Sequence, residues 1–334
     1  MRLSERLVAA WFSPRLTPLS ALLVPAALVF RAAVRVRRTL YRHGVLRTER
    51  LRAPVIVVGN ITVGGSGKTP LTIALAREFA RRGWHPGIVS RGYRAKNSGP
   101  RSVSTDDDPA SVGDEPLLLA RAGVPVWIGA DRPEAARALL AAHAECDLII
   151  ADDGLQHYAL AREVEIAVID AGRGLGNGWL LPAGPLREPA SRLEQVDAVV
   201  RLGGEAAHAE REFVMTLVGE RFVRVNDAAV GADPSRFRSG SVHALAGIGH
   251  PARFFAQLAA LGIAARSHPF PDHHRYAAGD LALPGATAIL MTEKDAVKCK
   301  AFADDRCWAL PVSAIVDPEL FALVERSLRG SKAA

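Results

Sequence analysis

The run Val57–Ala76, VVGNITVGGSGKTPLTIALA, constrains this chain more than any other. A β-branched apolar stretch enters a glycine-rich turn, then Lys-Thr-Pro, then an alanine- and leucine-rich segment. Strand, phosphate-cradling loop and helix in that order form the context that a G-x-x-x-x-G-K-[ST] loop requires. Gly64, Gly65 and Gly67 can take the positive φ that turns backbone N–H groups toward an anion. Lys68 supplies a point charge for β- and γ-phosphates, and the Thr69 hydroxyl suits Mg²⁺. Pro70 falls in the first helical turn, where its missing N–H costs nothing. The consensus first glycine is Thr62 here, with Gly64 two places further on, so the turn is built differently. Thr62, Val63, Gly64, Gly65, Ser66, Gly67, Lys68 and Thr69 are the expected nucleotide-binding loop; the alternative is a glycine-rich turn with an incidental lysine.

The same alternation recurs around this loop. Apolar runs at 54–60, 85–91, 124–129, 147–153, 164–170, 196–202, 242–248 and 287–295 read as strands. They are continuous rather than alternating, the mark of strands buried on both faces of a parallel sheet. Segments 71–82, 132–144 and 251–261 read as the crossover helices. The expected fold class is α/β, a P-loop NTPase-like, mostly parallel sheet with helices on both faces, plus a smaller α/β second domain. A Gly- and Pro-dense stretch without periodicity, 171–189, is expected to act as an active linker between a nucleotide-binding unit, 46–170, and the smaller unit, 190–334.

Residues 1–45 depart from this pattern. Leu16–Phe30 is an apolar run too short to span a bilayer, preceded by Arg2, Arg6 and Arg15 and followed by Arg31, Arg35, Arg37, Arg38 and Arg42. A secretory signal would place a small-residue cleavage site where RAAVRVRR stands. The expected reading is a membrane-associated helix lying in the interface, its arginines toward anionic headgroups, with a buried N-terminal helix as the alternative. The net charge of +7 leaves nucleic acid, a membrane surface and a phosphorylated substrate open as anionic partners. Nucleic acid is set aside, because 6% aromatic residues without basic interleaving do not make a stacking platform. Cys146, Cys299 and Cys307 form no C-x-x-C pair, which argues against a zinc site or disulfide framework and for a reducing compartment.

A phosphate loop needs acidic partners. DLIIADDG places Asp152 and Asp153 at the C-terminal end of a strand, where ligands of open α/β sheets collect. There they would hold Mg²⁺ directly or through water, the alternative being a cap on the following segment.

These residues belong to a longer series: VGNITVGGSGKTP (58–70), SRGY (90–93), VGDEP (112–116), ADRP (130–133), ADDGLQH (151–157), IDAGRGLGNGWLLPAGPLRE (169–188), FPDHHRY (270–276) and TEKDAVK (292–298). In that order, over most of the chain, they resemble the tetraacyldisaccharide 4'-kinases, which phosphorylate the lipid A precursor of Gram-negative bacteria. Thr62 fits that family's loop. The resemblance implies ATP and Mg²⁺ as co-substrates, and γ-phosphoryl transfer to the 4'-hydroxyl of a glycolipid, an acylated glucosamine disaccharide 1-phosphate. It implies Asp114 as the base, His273 rather than His274 as its partner, and Lys68 as the stabiliser of transferring charge. By residue type alone, DHH at 272–274 reads as an exposed turn or a partial metal site. The resemblance further implies Thr69, Asp152, Asp153, Gln156 and Glu188 as metal or water-positioning groups. Arg91, Arg132, His157 and Arg187 become phosphate contacts, Tyr93 a substrate contact, and Asp170 and Asn177 structural supports. It places the enzyme on the cytoplasmic face of the inner membrane, peripheral or monotopic, docked through the N-terminal run. A partner-regulated P-loop ATPase or GTPase switch is the competing class; the nearest string to guanine-reading N-K-x-D is TEKD at 292–295, which counts against a GTPase.

Overall fold

The computed structural model describes residues 3–92, 99–204 and 210–332, so Tyr93 lies outside the described residues. Helices α1 (Leu3–Trp11), α2 (Pro18–Leu22) and α3 (Val24–Arg42) precede β1 (Val55–Gly59), α4 (Lys68–Arg81) and β2 (Pro86–Ser90). Then come β3 (Arg101–Ser102), α5 (Pro109–Val112), α6 (Asp114–Ala120), β4 (Val126–Ile128), α7 (Arg132–Ala142), β5 (Leu148–Asp152) and β6 (Val164–Asp170). β7 (Ala198–Leu202) and β8 (Glu212–Val218) lead into a second unit. It holds β9 (Phe222–Arg224), β10 (Gly231–Ala232), β11 (Val242–Ala246), α8 (Pro251–Ala260), β12 (Arg266–Pro269), β13 (Ala288–Thr292), α9 (Glu293–Cys299) and β14 (Cys307–Leu310). β15 (Ser313–Val316) and α10 (Pro318–Lys332) return to the first unit.

The first unit is a nine-stranded sheet in the order β15-β8-β7-β6-β1-β5-β2-β4-β3; the second is six-stranded, β10-β9-β14-β13-β11-β12. In the large sheet only the edge pairs β15·β8 and β3·β4 are antiparallel. Every residue of β1, β2 and β5 is buried, as continuous apolar strands require. One face packs Ile56 and Val58 against Leu71, Leu75 and Phe79 of α4 and Leu320 and Val324 of α10. The other packs Val55 and Val57 with Ala135, Ala136 and Leu139 of α7. Each fully buried Leu or Phe contributes about 1.5–3 kcal/mol, which fixes α4 and the loop before it to the sheet.

The expected boundary at residue 190 is displaced. β7 pairs in parallel with β6, β8 with β7, and Leu202, Met215 and Val316 join the first core. The second sheet is an insertion between β8 and β15. Half-buried β8 and exposed edge strand β15 lack the continuous apolar run that marks the central strands.

Of α3, only Ala27 is buried, so the buried-helix alternative is not what the fold shows. Leu22, Val29 and Val36 stand in solvent, Val29 at 71% exposure, while Phe30 packs inward on the second face of the sheet. Among the described residues no helix is long and apolar enough to cross a membrane.

Candidate active site

The phosphate loop hangs between β1 and α4. Gly64 (φ 99°) and Gly67 (φ 90°) take the left-handed conformation the turn demands. A Cβ on Gly67 would also lie 2.7 Å from Leu202. Asn60 braces the turn, its Nδ2 donating to Ser66 Oγ at 3.0 Å and the Gly64 carbonyl at 3.4 Å. The irregular stretch 171–189 forms the outer support: Val63 N donates to Pro185 O at 2.9 Å, Arg187 N to Ile61 O at 2.7 Å, and Thr62 bridges Leu186. Thr62 and Val63 are therefore taken up by this support, and the loop lines one adjacent cleft from Gly65 onward and the other from Gly64 onward. Asn177 and Asp170 behave as supports, Asn177 Nδ2 donating to Ala183 O at 2.9 Å. Trp11 of α1 pins the same stretch, donating from its indole to Pro182 O at 2.8 Å.

Two acids close the end of β5. Asp152 is fully buried; Thr72 donates to its Oδ1 at 3.0 Å and, among the described residues, its Oδ2 has no hydrogen-bond partner. Burial, with the Glu115 and Asp153 charges adding, pushes its carboxyl up to about 7. Asp153 (φ 50°) lies 3.4 Å from Lys68 Nζ and 3.2 Å from Arg187. Burial opposes its ionisation, but the Lys68 and Arg187 charges win and hold it well below the usual carboxylate range. Behind them Arg132 is 1% exposed; it donates to Gly129 O at 2.8 Å while Nε and Nη2 have no hydrogen-bond partner among the described residues. Burial lowers that guanidinium to about 10, against the pull of Asp152 and Asp153. Burial and then the Arg132 and Arg91 charges lower His157 to about 4, so its imidazole is neutral at physiological pH.

Glu188, expected near the metal, is held by neighbouring side chains. Gln156 Nε2 donates to it at 3.1 Å, the Tyr158 hydroxyl donates to it, and Arg192 and Arg38 lie at 3.7 and 3.8 Å. Through these contacts Glu188 ties α3 and the segment after β5 to the linker, and Gln156 takes part in that tie. Among the described residues no group of three or more His, Cys, Asp or Glu is arranged to hold a metal. Thr69, Asp152 and Asp153 still offer the hard oxygens Mg²⁺ prefers, and the unpartnered buried Asp152 Oδ2 is the kind of acceptor a cation satisfies.

Two clefts meet at the loop. One, about 610 Å³, runs from Gly65–Pro70 along Ile73 and Arg77 of α4 to Phe254 and Lys294 of the second unit. The other, about 660 Å³, is walled by Phe30, Ala33 and Val34 of α3 and reaches Arg91, His157, Arg187 and His273. They share Gly65, Lys68 and Glu115. Of the expected phosphate contacts, Arg132 lines neither cleft.

The second unit closes over this junction. Its Gly249 meets the loop backbone: a Cβ there would lie 2.3 Å from Gly65 N. Asp170, at the end of β6, accepts from His250 Nδ1 at 3.1 Å and from Arg253 of α8. Across the same gap His273 Nδ1 sits 3.0 Å from Asp114 Oδ2 and 3.2 Å from Oδ1. Gly113, at φ 94°, turns the chain so that Asp114 opens α6. His273, itself at φ 57°, is held by donating its N–H to Gly247 O at 3.2 Å. His274 instead bonds Asp280 at 3.2 Å and stacks on Phe270, which settles which histidine faces Asp114. Burial would raise the Asp114 carboxyl, yet the His273 hydrogen bond and the Lys294 and Lys298 charges bring it down to about 2. Asp114 is buried behind His273, and of the two only His273 lines a cleft. Lys294 (3.0 Å from Glu115, 3.2 Å from Asp272) and the Asp170 contacts are functional neighbours that spacing could not reveal. Lys294 and Asp170 are signalled by membership of TEKDAVK and IDAG in the motif series, whereas His250 and Arg253 belong to none of those strings.

A phosphate cradle shared by two clefts, with a carboxylate–imidazole pair at the far side of one, defines a P-loop phosphotransferase. A family model described as tetraacyldisaccharide-1-P 4'-kinase matches residues 19–329, and the chain belongs to that family. The tetraacyldisaccharide 4'-kinase of Azoarcus sp. (strain BH72) is 53% identical over 302 residues, covering 89% of this chain and 88% of the relative. That of Dechloromonas aromatica is 49% identical over 338 residues, 99% of this chain and the whole of the relative. Among solved structures, LpxK from Aquifex aeolicus in complex with ATP superposes with a TM-score of 0.78 at 29% identity, covering 93% of this chain and 99% of that one.

Proposed function

We propose that this chain binds ATP on the Gly64–Thr69 loop and transfers the γ-phosphoryl group to the 4'-hydroxyl of an acylated glucosamine disaccharide 1-phosphate in the α3-walled cleft. The observation that carries the reading is the Asp114–His273 pair, 3.0 Å apart, beside a cleft that shares Lys68 with the nucleotide side. Phosphoryl transfer asks chiefly for positioning and charge neutralisation, with proton removal late. Lys68, now beside Asp153, has the reach and charge to lie along the transferring group. Thr69, Asp152 and Asp153 would hold Mg²⁺, which when bound neutralises charge on the β- and γ-oxygens.

The resemblance assigned the hydroxyl proton to Asp114 itself. Because His273 stands between that carboxylate and the cleft, we assign the proton to the pair. Asp114 is ionised at every working pH, so it fixes Nδ1 and offsets the positive charge an arriving proton creates. The cleft's apolar wall from α3 and Leu181 beside Arg37, Arg91 and Arg187 suits a ligand with both acyl chains and phosphate. The exposed Leu22, Val29 and Val36 and the arginines of α3 fit docking on an anionic bilayer, the cytoplasmic face of the inner membrane.

Incubation with γ-labelled ATP, Mg²⁺ and the acylated disaccharide 1-phosphate should label the lipid, and Asp114→Ala should lower the rate by about 10²–10⁴-fold. Label released only as inorganic phosphate would instead indicate an ATPase switch. Val29→Glu should reduce sedimentation with anionic vesicles, and unchanged sedimentation would defeat the docking.

A further inference from the structure

Helix α9 carries a second arrangement behind the Asp114–His273 pair, one that makes no contact with either cleft through Lys298 or Asp295. Asp295 on this helix is fully buried; the Gly247 N–H donates to its Oδ2 at 3.0 Å and the Thr292 hydroxyl at 2.7 Å. Both donors leave Oδ1 to an ion pair with Lys298, 2.8 Å away and one helical turn on. The Lys298 side chain is only 10% exposed; its ammonium sits 5.0 Å from the Tyr276 ring centroid and reaches to 3.9 Å of Asp114 Oδ2. It lines neither cleft, so it is not a ligand contact. A buried ammonium is costly, and this one is kept between two carboxylates that belong to different units of the molecule.

Among the described residues the groups facing Asp114 are few. His273 and Asp272 come from the loop after β12, Lys294, Asp295 and Lys298 from α9, and Glu115 from its own helix. Tyr276 and Cys299, beside Lys298, are both pushed up by burial and stay neutral. Lys294 is taken by Glu115 and Asp272 at 3.0 and 3.2 Å, which leaves Lys298 as the cation lying between Asp114 and the anchor Asp295.

We infer that Lys298 is a positioning residue for phosphoryl transfer: anchored by Asp295, it holds the Asp114 carboxylate ionised and turned toward His273 Nδ1. The inference rests on the proposed role of the Asp114–His273 pair. Removing the Lys298 charge leaves the pair more ready to bind a proton, so the coupled pair takes one up at higher pH.

The test is Lys298→Met beside Lys298→Arg, assayed as the pH dependence of kcat for lipid phosphorylation, with KM for ATP measured alongside. For K298M the acid limb should move to higher pH and kcat at pH 6 should fall roughly tenfold, with KM for ATP within about twofold of wild type. K298R, which keeps the charge on another shape, should leave the acid limb in place. An acid limb unmoved in K298M, moved as far in K298R, or a loss expressed mainly in KM would overturn the inference. A wild-type enzyme that labels no lipid would instead sink the proposed function.

Discussion

The two sides of the reaction centre are assembled in opposite ways. The phosphate side is contiguous: Gly64, Gly67, Lys68 and Thr69 sit on one turn, and their placement follows from one strand, one helix and glycines at positive φ. The acceptor side is distributed, with Asp114 and His273 separated by 159 positions and carried by different sheets. A contiguous site survives wherever its local fold survives, whereas a distributed one exists only while the two sheets are seated against each other. Damage should therefore act through missing chemistry on the first side and through lost alignment on the second.

The largest expected effect breaks the contiguous side. Lys68→Ala should lower kcat/KM by on the order of 10³-fold at every pH, with thermal unfolding close to wild type. A loss of less than tenfold would mean that the loop does not carry the transferring charge. The distributed side has a cleaner probe, Gly249→Ala, because the added Cβ would meet Gly65 N at 2.3 Å and hold the units apart without removing any polar side chain. It should cost about tenfold in kcat with ATP still bound. Wild-type turnover in that variant would show that the seating of the second unit is unimportant.

The smallest effect sharpens the comparison through stability. The Asp114 carboxyl is lowered to about 2 from 3.8, so its ionised form favours the folded state. That contribution is complete above about pH 4 and disappears as pH falls through 2. Chemical denaturation of wild type and Asp114→Asn should thus diverge above pH 4 and converge toward pH 2. A gap that is constant with pH would mean that the His273, Lys294 and Lys298 contacts do not favour the ionised form.

How much could be read in advance follows the same division. β1, β2, β5 and β6 declare themselves because strands buried on both faces must be apolar throughout, and the Gly-Lys-Thr turn needs no distant partner. β8 alternates burial, and β15 is an exposed edge of four residues, so neither carries such a run, and the insertion boundary went astray with them. His273 could be singled out only by resemblance, since a histidine in a loop says nothing of the carboxylate it meets across a cleft. Glu188 shows the converse: an acid at a motif's end is expected at a metal, and its spacing says nothing of Arg38, Gln156 and Tyr158, which contact it from elsewhere in the chain.

Gly249 against Gly65 has a mechanical side as well. Where two units meet through side chains, rotamers give and the fit has slack. Here backbone faces backbone, with no atom beyond Cα to fold away. The seam acts as a hard stop on the second sheet's approach, and it sets the width of the gap across which a phosphoryl group must travel. Kinases of this build would have their reach calibrated by two residues that contribute no side chain to it.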